Sequence, residues 1–253
     1  MVEVLRDGYN IPLLSSPPLS GSPISFRAYD PSSIRGRALE TELGTLLLKG
    51  AVEPADRSPG FYARMFVVPK ASGGWRPIID LSELNGYVKT TVFKMETVQS
   101  VLLAIRQGDW MCSIDLRDAY LQVPVHPNSR KFLRFTSSKG VFQFKTLCFG
   151  LSTAPQVFTR VMAPVSKILH QWGVRLLRYL DDWLILADSE AKCQRARDLV
   201  LQLCTELGIQ VNLEKSNPTP SQQIEYLGME LNSISLRASS SGKHRNSLYH
   251  LID

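Results

Sequence analysis

The chain has 253 residues, 44% hydrophobic and 21% charged, enough to bury a core and unlike a disordered, collagen-like or coiled-coil chain. No apolar run approaches the roughly 18–20 residues of a membrane span, and the start, MVEVLRDGYN, lacks the basic-then-apolar build of a signal peptide, so an intracellular protein without a membrane partner is expected. The net charge of +6 and pI near 9.2 permit a polyanionic partner without requiring one.

Residues 1–23 carry Pro12, Pro17, Pro18 and Pro23 among serines and read as a linker or a tail draped over a surface. Ser32 or Ser33 can cap a helix over Ile34–Lys49, with Leu39, Leu43 and Leu47 at helical spacing. Phe66–Lys70 and Trp75–Asp80 read as strands around a turn at Ala71–Gly74. Met95–Arg106 is amphipathic and helical. Trp110–Asp115 is a buried strand running into a helical turn at Arg117–Leu121, and Lys131–Thr136 pairs with Val141–Lys145 as a hairpin. Thr153–Gln171 is a long helix ended by Gly173. Arg175–Leu180, Asp181-Asp182 and Trp183–Asp188 read as strand, tight turn and strand. A helix over Glu190–Leu207 follows, then strands at Gln210–Leu213 and Ile224–Leu231. From about Ser233 the chain is serine-rich and basic, as in a frayed end. Cys112, Cys148, Cys193 and Cys204 are scattered without a C-x-x-C pair and fit reduced core thiols. The order of elements is a split β-α-β pattern, predicting an α+β fold with an antiparallel sheet backed by helices.

The acids carry the most information. An Asp-Asp hairpin tip usually points to water, yet Asp181-Asp182 lacks the glycine such turns favour and is flanked by apolar strands. Asp115 ends another apolar strand, which a split β-α-β sheet can place beside the Asp181 hairpin. Two carboxylates about 4 Å apart repel by roughly 4 kcal/mol at an effective dielectric of 20. Such a cluster persists only with a shared proton or a bound cation. Oxygen ligands without His or Cys point to Mg²⁺ or Mn²⁺, and a pair of such ions is the apparatus of in-line phosphoryl transfer.

Six ordered blocks then resemble one family: VVPKASGGWRPIIDLSELN, SIDLRDAYLQVPV, FKTLCFGLSTAPQVFTRVM, YLDDWLI, LGIQVNLEKS and IEYLGMEL. From about Glu53 to Leu231 the chain resembles the reverse transcriptase domain of retrotransposons and retroviruses, an RNA-directed DNA polymerase. GYNIPLL near the start, with YLDDWLI, is similar to a DIRS-like element. The resemblance implies right-hand fingers (24–110 and 125–150) and palm (111–124 and 151–232), between a Pro/Ser-rich tail and a basic tail at 233–253, with no thumb, as in a polyprotein fragment or a truncated copy. It implies primer on an RNA or DNA template and deoxynucleoside triphosphates as partners, and two Mg²⁺ ions, or Mn²⁺, as cofactors. Asp115 and Asp181 would ligate the metals with Asp182 and the Leu116 carbonyl, and Lys215 would be a general acid for pyrophosphate. Lys70 and Arg76 would take the triphosphate; Asp118 and Ala119 would line the nucleotide pocket, and Tyr120 would be the wall under the sugar. Phe149 and Gly150 would flank the nucleotide, while Tyr226, Leu227 and Gly228 match a primer-grip hairpin. Taken singly, each has a bland alternative: Lys70, Arg76 and Lys215 as surface charges, Tyr120 as core, Gly150 as a pre-helix turn, Tyr226–Gly228 as an edge strand. Phe149 stands where many retroviral enzymes have Gln, and Ser82 where many relatives carry Arg. The rivals are a catalytically inert nucleic-acid-binding relic of the same fold and a nucleotidyl cyclase on a similar sheet, the latter disfavoured by GGWRPIID and FGLSTAP.

Overall fold

The computed structural model describes residues 2–24, 29–56, 58–70, 73–91, 93 and 98–240. In chain order the elements are α1 (Val2–Asp7), α2 (Ile34–Leu48), β1 (Val52–Pro54), β2 (Arg64–Pro69), β3 (Trp75–Asp80), α3 (Ser82–Asn85), α4 (Val98–Ala104) and β4 (Trp110–Asp115). A 3-10 turn at Ala119–Gln122 precedes α5 (Pro127–Arg130), β5 (Arg134–Ser137), β6 (Gly140–Phe144), α6 (Ala154–Gln171), β7 (Arg175–Tyr179), β8 (Asp182–Ala187) and α7 (Glu190–Glu206). The chain continues with β9 (Asn217–Ser221), β10 (Gln223–Tyr226), β11 (Met229–Asn232) and β12 (Arg237–Ser240). Contacts gather these into two units, Met1–Val92 with Tyr120–Val161, and Phe93–Ala119 with Met162–Asp253.

The first unit holds the antiparallel hairpin β2–β3 and the sheet β1-β6-β5. Ser33 caps α2, its hydroxyl accepting from the Gly36 N–H at 3.0 Å, and the helix buries Leu43 and Leu46. The buried stripe falls on Leu46 rather than Leu47 because i, i+3 neighbours share the inner face here. The residues expected to form a linker or a tail draped over a surface begin with α1. They are then stitched down by bridges Tyr9–Val125, Leu13–Val88 and Ser20–Gly60, with Ile11 buried. Isolated backbone pairs let a proline-rich segment satisfy its amides without a full strand. Part of the expected Ala71–Gly74 turn and the start of the Met95–Arg106 helix lie outside the described residues.

The second unit is built on an antiparallel sheet in the order β7-β8-β4-β9. Trp183, Leu184, Ile185 and Leu186 of β8 are all within 2% of full burial, which explains an unbroken apolar run: both faces of this strand are covered. On one face, Met111, Leu184 and Leu186 pack with Val101, Ile224, Tyr226 and Leu231. α4, which the sequence assigned with the fingers, thus contributes Val101 to the core of this sheet. α7, capped by Ser189, buries Cys193, Ala196, Val200, Leu203 and Cys204. The Cys193 and Cys112 sulfurs lie 3.7 Å apart as buried thiols, and all four cysteines are free.

Three strand expectations change. Gln210–Leu213 is not a strand; only Val211 bridges, to Leu116. The strand forms instead at Asn217–Ser221, in spite of Pro218 and Pro220, because β9 is the sheet edge, where a missing N–H can face away from the ladder. Ile224–Leu231 divides into the hairpin β10–β11, with Leu227 (φ +50°) and Gly228 (φ +74°) as its two-residue tip. Within the expected frayed end, Ser233 is fully buried and β12 pairs with β11. Lys243 and Arg245 of the basic tail lie outside the described residues.

One buried ion pair ties these strands together. Asp109, 2% exposed, receives both arms of the Arg175 guanidinium at 2.8 and 2.9 Å and the Arg106 N–H at 2.7 Å. Its backbone carbonyl accepts from the Ser233 hydroxyl at 2.5 Å. Asp109→Ala leaves the Arg175 guanidinium without its bidentate partner and should lower unfolding free energy by about 2–4 kcal/mol in urea titration, somewhat less than for a wholly buried pair because Arg175 reaches water.

Candidate active site

The register of β4 on β8 sets Asp115 directly opposite Asp182. The tight turn is Leu180-Asp181, one residue earlier than the sequence predicted, and Tyr179 pairs with Asp182 to close it. Leu180 takes a positive φ of +54°, a left-handed conformation that a leucine adopts only at a cost of about 1–3 kcal/mol. The shift makes Asp182 a strand residue, part-buried beside Asp115, and leaves Asp181 at the tip.

Three donors from three elements fix the turn's consecutive carbonyls. The Trp183 indole N–H donates to Leu180 O at 3.2 Å, and the Leu116 N–H to Asp181 O at 2.8 Å. The Tyr226 hydroxyl donates to Asp182 O at 2.9 Å. In the sequence Trp183 is an apolar flank; its full burial with a bonded polar tip makes it an anchor of the turn.

The end of β4 is held from its other side. The Asp115 N–H donates to Ser216 Oγ at 3.0 Å, and that hydroxyl donates to Asn212 O at 2.7 Å. The Asn212 N–H in turn donates to Asp115 O at 2.8 Å. Nothing in the linear pattern distinguishes Asn212 and Ser216 from the rest of the block LGIQVNLEKS.

The charges in this corner feel one another. Burial, then the charges of Asp181 and Asp115, push the Asp182 carboxyl up to about 6, and Lys215 opposes them. Burial also raises Asp115, with Asp181 adding to the shift and Lys215 and an Asn212 hydrogen bond opposing it. The exposed Lys215 is therefore placed where it acts on both acids. Among the described residues no three His, Cys, Asp or Glu side chains form a ready-made metal cluster. The chemistry of the donors nevertheless fits a hard divalent cation: carboxylates only, destabilised by one another, without imidazole or thiolate.

The remaining expected site residues divide between the units. In the second unit, Asp118 (φ +51°) lies 3.8 Å from the Arg117 guanidinium and Ala119 is buried. The 3-10 turn Ala119–Gln122 replaces the expected helical turn at Arg117–Leu121. Leu227 and Gly228 form the β10–β11 tip, whereas Tyr226 is 5% exposed and points its hydroxyl at the turn. In the first unit, Arg76 stands exposed on β3 opposite Val68, and Lys70 is exposed at the hairpin's end. The Arg76 guanidinium sits over the Phe149 ring at 5.9 Å, Phe149 tilts against Tyr120 at 5.0 Å, and Tyr120 meets Phe158 edge-on at 5.8 Å. A ring face attracts the cation without accepting its N–H donors.

Gly150, at φ +108°, approaches β3 so closely that a Cβ would lie 2.3 Å from Ile79 O. Asn85, which sequence reasoning passed over, brackets this glycine: its Nδ2 donates to Gly150 O at 2.8 Å and its Oδ1 accepts from the Ser152 N–H at 2.9 Å.

The raised Asp182 carboxyl gives a pH signature. A folded-state pKa above the unfolded one means that ionisation costs stability. That cost is absent well below the unfolded pKa, grows as pH rises through about 6, and is complete above it. In metal-free buffer, Asp182→Asn should therefore gain stability over wild type between about pH 4 and pH 7, by on the order of 1–2 kcal/mol after solvent screening, in paired thermal melts.

The reverse transcriptase (RNA-dependent DNA polymerase) family model matches residues 68–231, the stretch that contains every site residue named above. The chain is 24% identical over 249 residues to the retrovirus-related Pol polyprotein from transposon opus of Drosophila melanogaster, covering 90% of this chain and 24% of that protein. It is 31% identical over 180 residues to the Gag-Pro-Pol polyprotein of Mason-Pfizer monkey virus, covering 66% of this chain and 10% of that one. The chain thus spans about a quarter or less of these relatives. Among solved structures it is similar to the foamy viral protease-reverse transcriptase in complex with double-stranded DNA, with TM-score 0.76, 18% identity, and coverage of 94% of this chain and 41% of that one. That likeness gives the architecture, α+β fingers and palm with antiparallel sheets. Sequence blocks and fold lead to one family: the chain belongs to the reverse transcriptase (RNA-dependent DNA polymerase) family.

Proposed function

We propose that this chain extends a primer 3′-hydroxyl with deoxynucleotides on an RNA or DNA template. The observation that carries the reading is the register Asp115↔Asp182, which gathers acids at one end of paired strands where they destabilise one another until a cation is present. The family match supports the reaction class. Related solved structures are described as complexes with double-stranded DNA and with an RNA/DNA hybrid, which supports the nucleic-acid partner.

Asp115, Asp181 and Asp182, with the Leu116 carbonyl, would hold two Mg²⁺ ions, or Mn²⁺. Bound there, such ions lower the pKa of the attacking hydroxyl and neutralise charge on the phosphates. Lys215, whose charge acts on the same acids, is assigned as proton donor toward the leaving pyrophosphate. Arg76 grips the triphosphate with the edge of its fork and Lys70 adds a point charge. Asp118 and Ala119 line the nucleotide pocket through their backbone, and Tyr120 stands under the sugar, where a bulky ring excludes a 2′-hydroxyl. Phe149 and Gly150 flank the nucleotide. Leu227 and Gly228, at the hairpin tip, are assigned to hold the primer. Fingers correspond to the unit of β2–β3 and β1-β6-β5, palm to the unit of the four-stranded sheet.

Primer extension on an RNA template with Mg²⁺ tests this. Asp181→Asn removes a ligand charge from the tip and no core volume. Extension should fall by at least about three powers of ten with far-ultraviolet circular dichroism unchanged; near-normal extension by the variant would remove the metal assignment. Tyr120→Ala should raise ribonucleotide incorporation relative to deoxyribonucleotide incorporation by about tenfold or more, with a smaller loss of total rate. An unchanged ratio of incorporation efficiencies would make Tyr120 core alone.

A further inference from the structure

We propose that Tyr226 is a positioning residue for the acid-bearing turn rather than a primer contact, and that it couples the β10–β11 hairpin to that turn. The resemblance places Tyr226 with the primer grip, yet its ring is buried among Val101, Met111, Leu184 and Leu231. Its hydroxyl, the polar end of that ring, donates to the carbonyl of Asp182. The residue after it begins the hairpin tip, Leu227-Gly228, whose two left-handed residues fix where the tip points.

The neighbouring carbonyls show why this bond matters. Leu180 O and Asp181 O are held by the Trp183 indole and by the Leu116 amide. Trp183 belongs to the turn's own strand, and Leu116 directly follows β4, the strand that carries Asp115. Tyr226 alone of the three brings in an element outside the four-stranded sheet. A displacement of the hairpin tip therefore reaches the backbone of Asp182 through one rigid aromatic ring, and a shift of the turn reaches the tip by the same path. Phenylalanine fills the same volume and cannot make the bond, so the link can be cut without opening a cavity.

This inference rests on the metal role given to the acids, and the experiment separates the two. Mn²⁺ binding by the full chain is titrated by electron paramagnetic resonance for wild type and Tyr226→Phe. Primer–template binding is measured by fluorescence anisotropy, and amide hydrogen exchange is followed in peptides spanning the β4 end and the 178–184 turn. The variant should bind Mn²⁺ about threefold to tenfold more weakly, the factor expected for one lost hydrogen bond. Turn amides should exchange faster, single-nucleotide kcat should fall by a similar factor, and the nucleotide KM and primer Kd should stay at wild-type values. Unchanged Mn²⁺ affinity and unchanged exchange, or a weakened primer Kd with the turn unaffected, would overturn the proposal. If wild type itself binds no Mn²⁺, the metal reading fails. Faster turn exchange in the variant would then still support positioning by Tyr226, and unchanged exchange would overturn it.

Discussion

Like charges held at the end of two paired strands are the constraint around which the second unit is organised. Water would separate such carboxylates, and the fold does not allow it: β4 and β8 are locked in register by buried residues on both faces, so Asp115 and Asp182 come together wherever the core forms. The raised carboxyls are the measure of what the core imposes. Stability is thereby given up at the site and supplied by β8, whose five consecutive buried residues, Trp183–Ala187, pack on both faces.

The turn between β7 and β8 shows how the strain is contained. A leucine in left-handed conformation, next to a charged tip, would relax if its carbonyls were free. Instead each of three successive carbonyls has a donor, from an indole, a backbone amide and a phenol. The Ser216 and Asn212 bonds do the same for the end of β4, and the Asp109–Arg175 pair anchors the opposite ends of β4 and β7. Acids at one end and a satisfied ion pair at the other leave the sheet little freedom to slide.

In the first unit, the corresponding constraint is close backbone approach. Gly150 touches the carbonyl of Ile79 and is bracketed by Asn85, so the loop carrying Phe149 is fixed on the strand that carries Arg76. The guanidinium–ring contact follows from that proximity. A glutamine at position 149 would offer hydrogen bonds; a phenylalanine offers a ring face, over which the Arg76 guanidinium carbon lies at 5.9 Å.

The sequence by itself determined the family, the class of fold and the acids. Ordered motifs and the apolar run before and after Asp181 leave few ways to build this sheet, and period and capping signals placed α2, β3, β4 and α7 within a residue or two. Tertiary structure decided what local pattern cannot carry. The turn moved to Leu180-Asp181 because pairing with β4 governs where β8 begins, and a propensity scale would never place leucine at positive φ. Asn217–Ser221 became a strand because an edge position tolerates proline. Ser233–Ser240 packs and pairs because Ser233 completes the buried Asp109 corner and β11 offers a free edge. Tyr226, Trp183, Asn85, Asn212 and Ser216 act through bonds to residues 44, 3, 65, 4 and 101 positions away. Several of those separations are fixed only when the whole core has closed, which is why a linear motif shows the acids and hides most of what holds them.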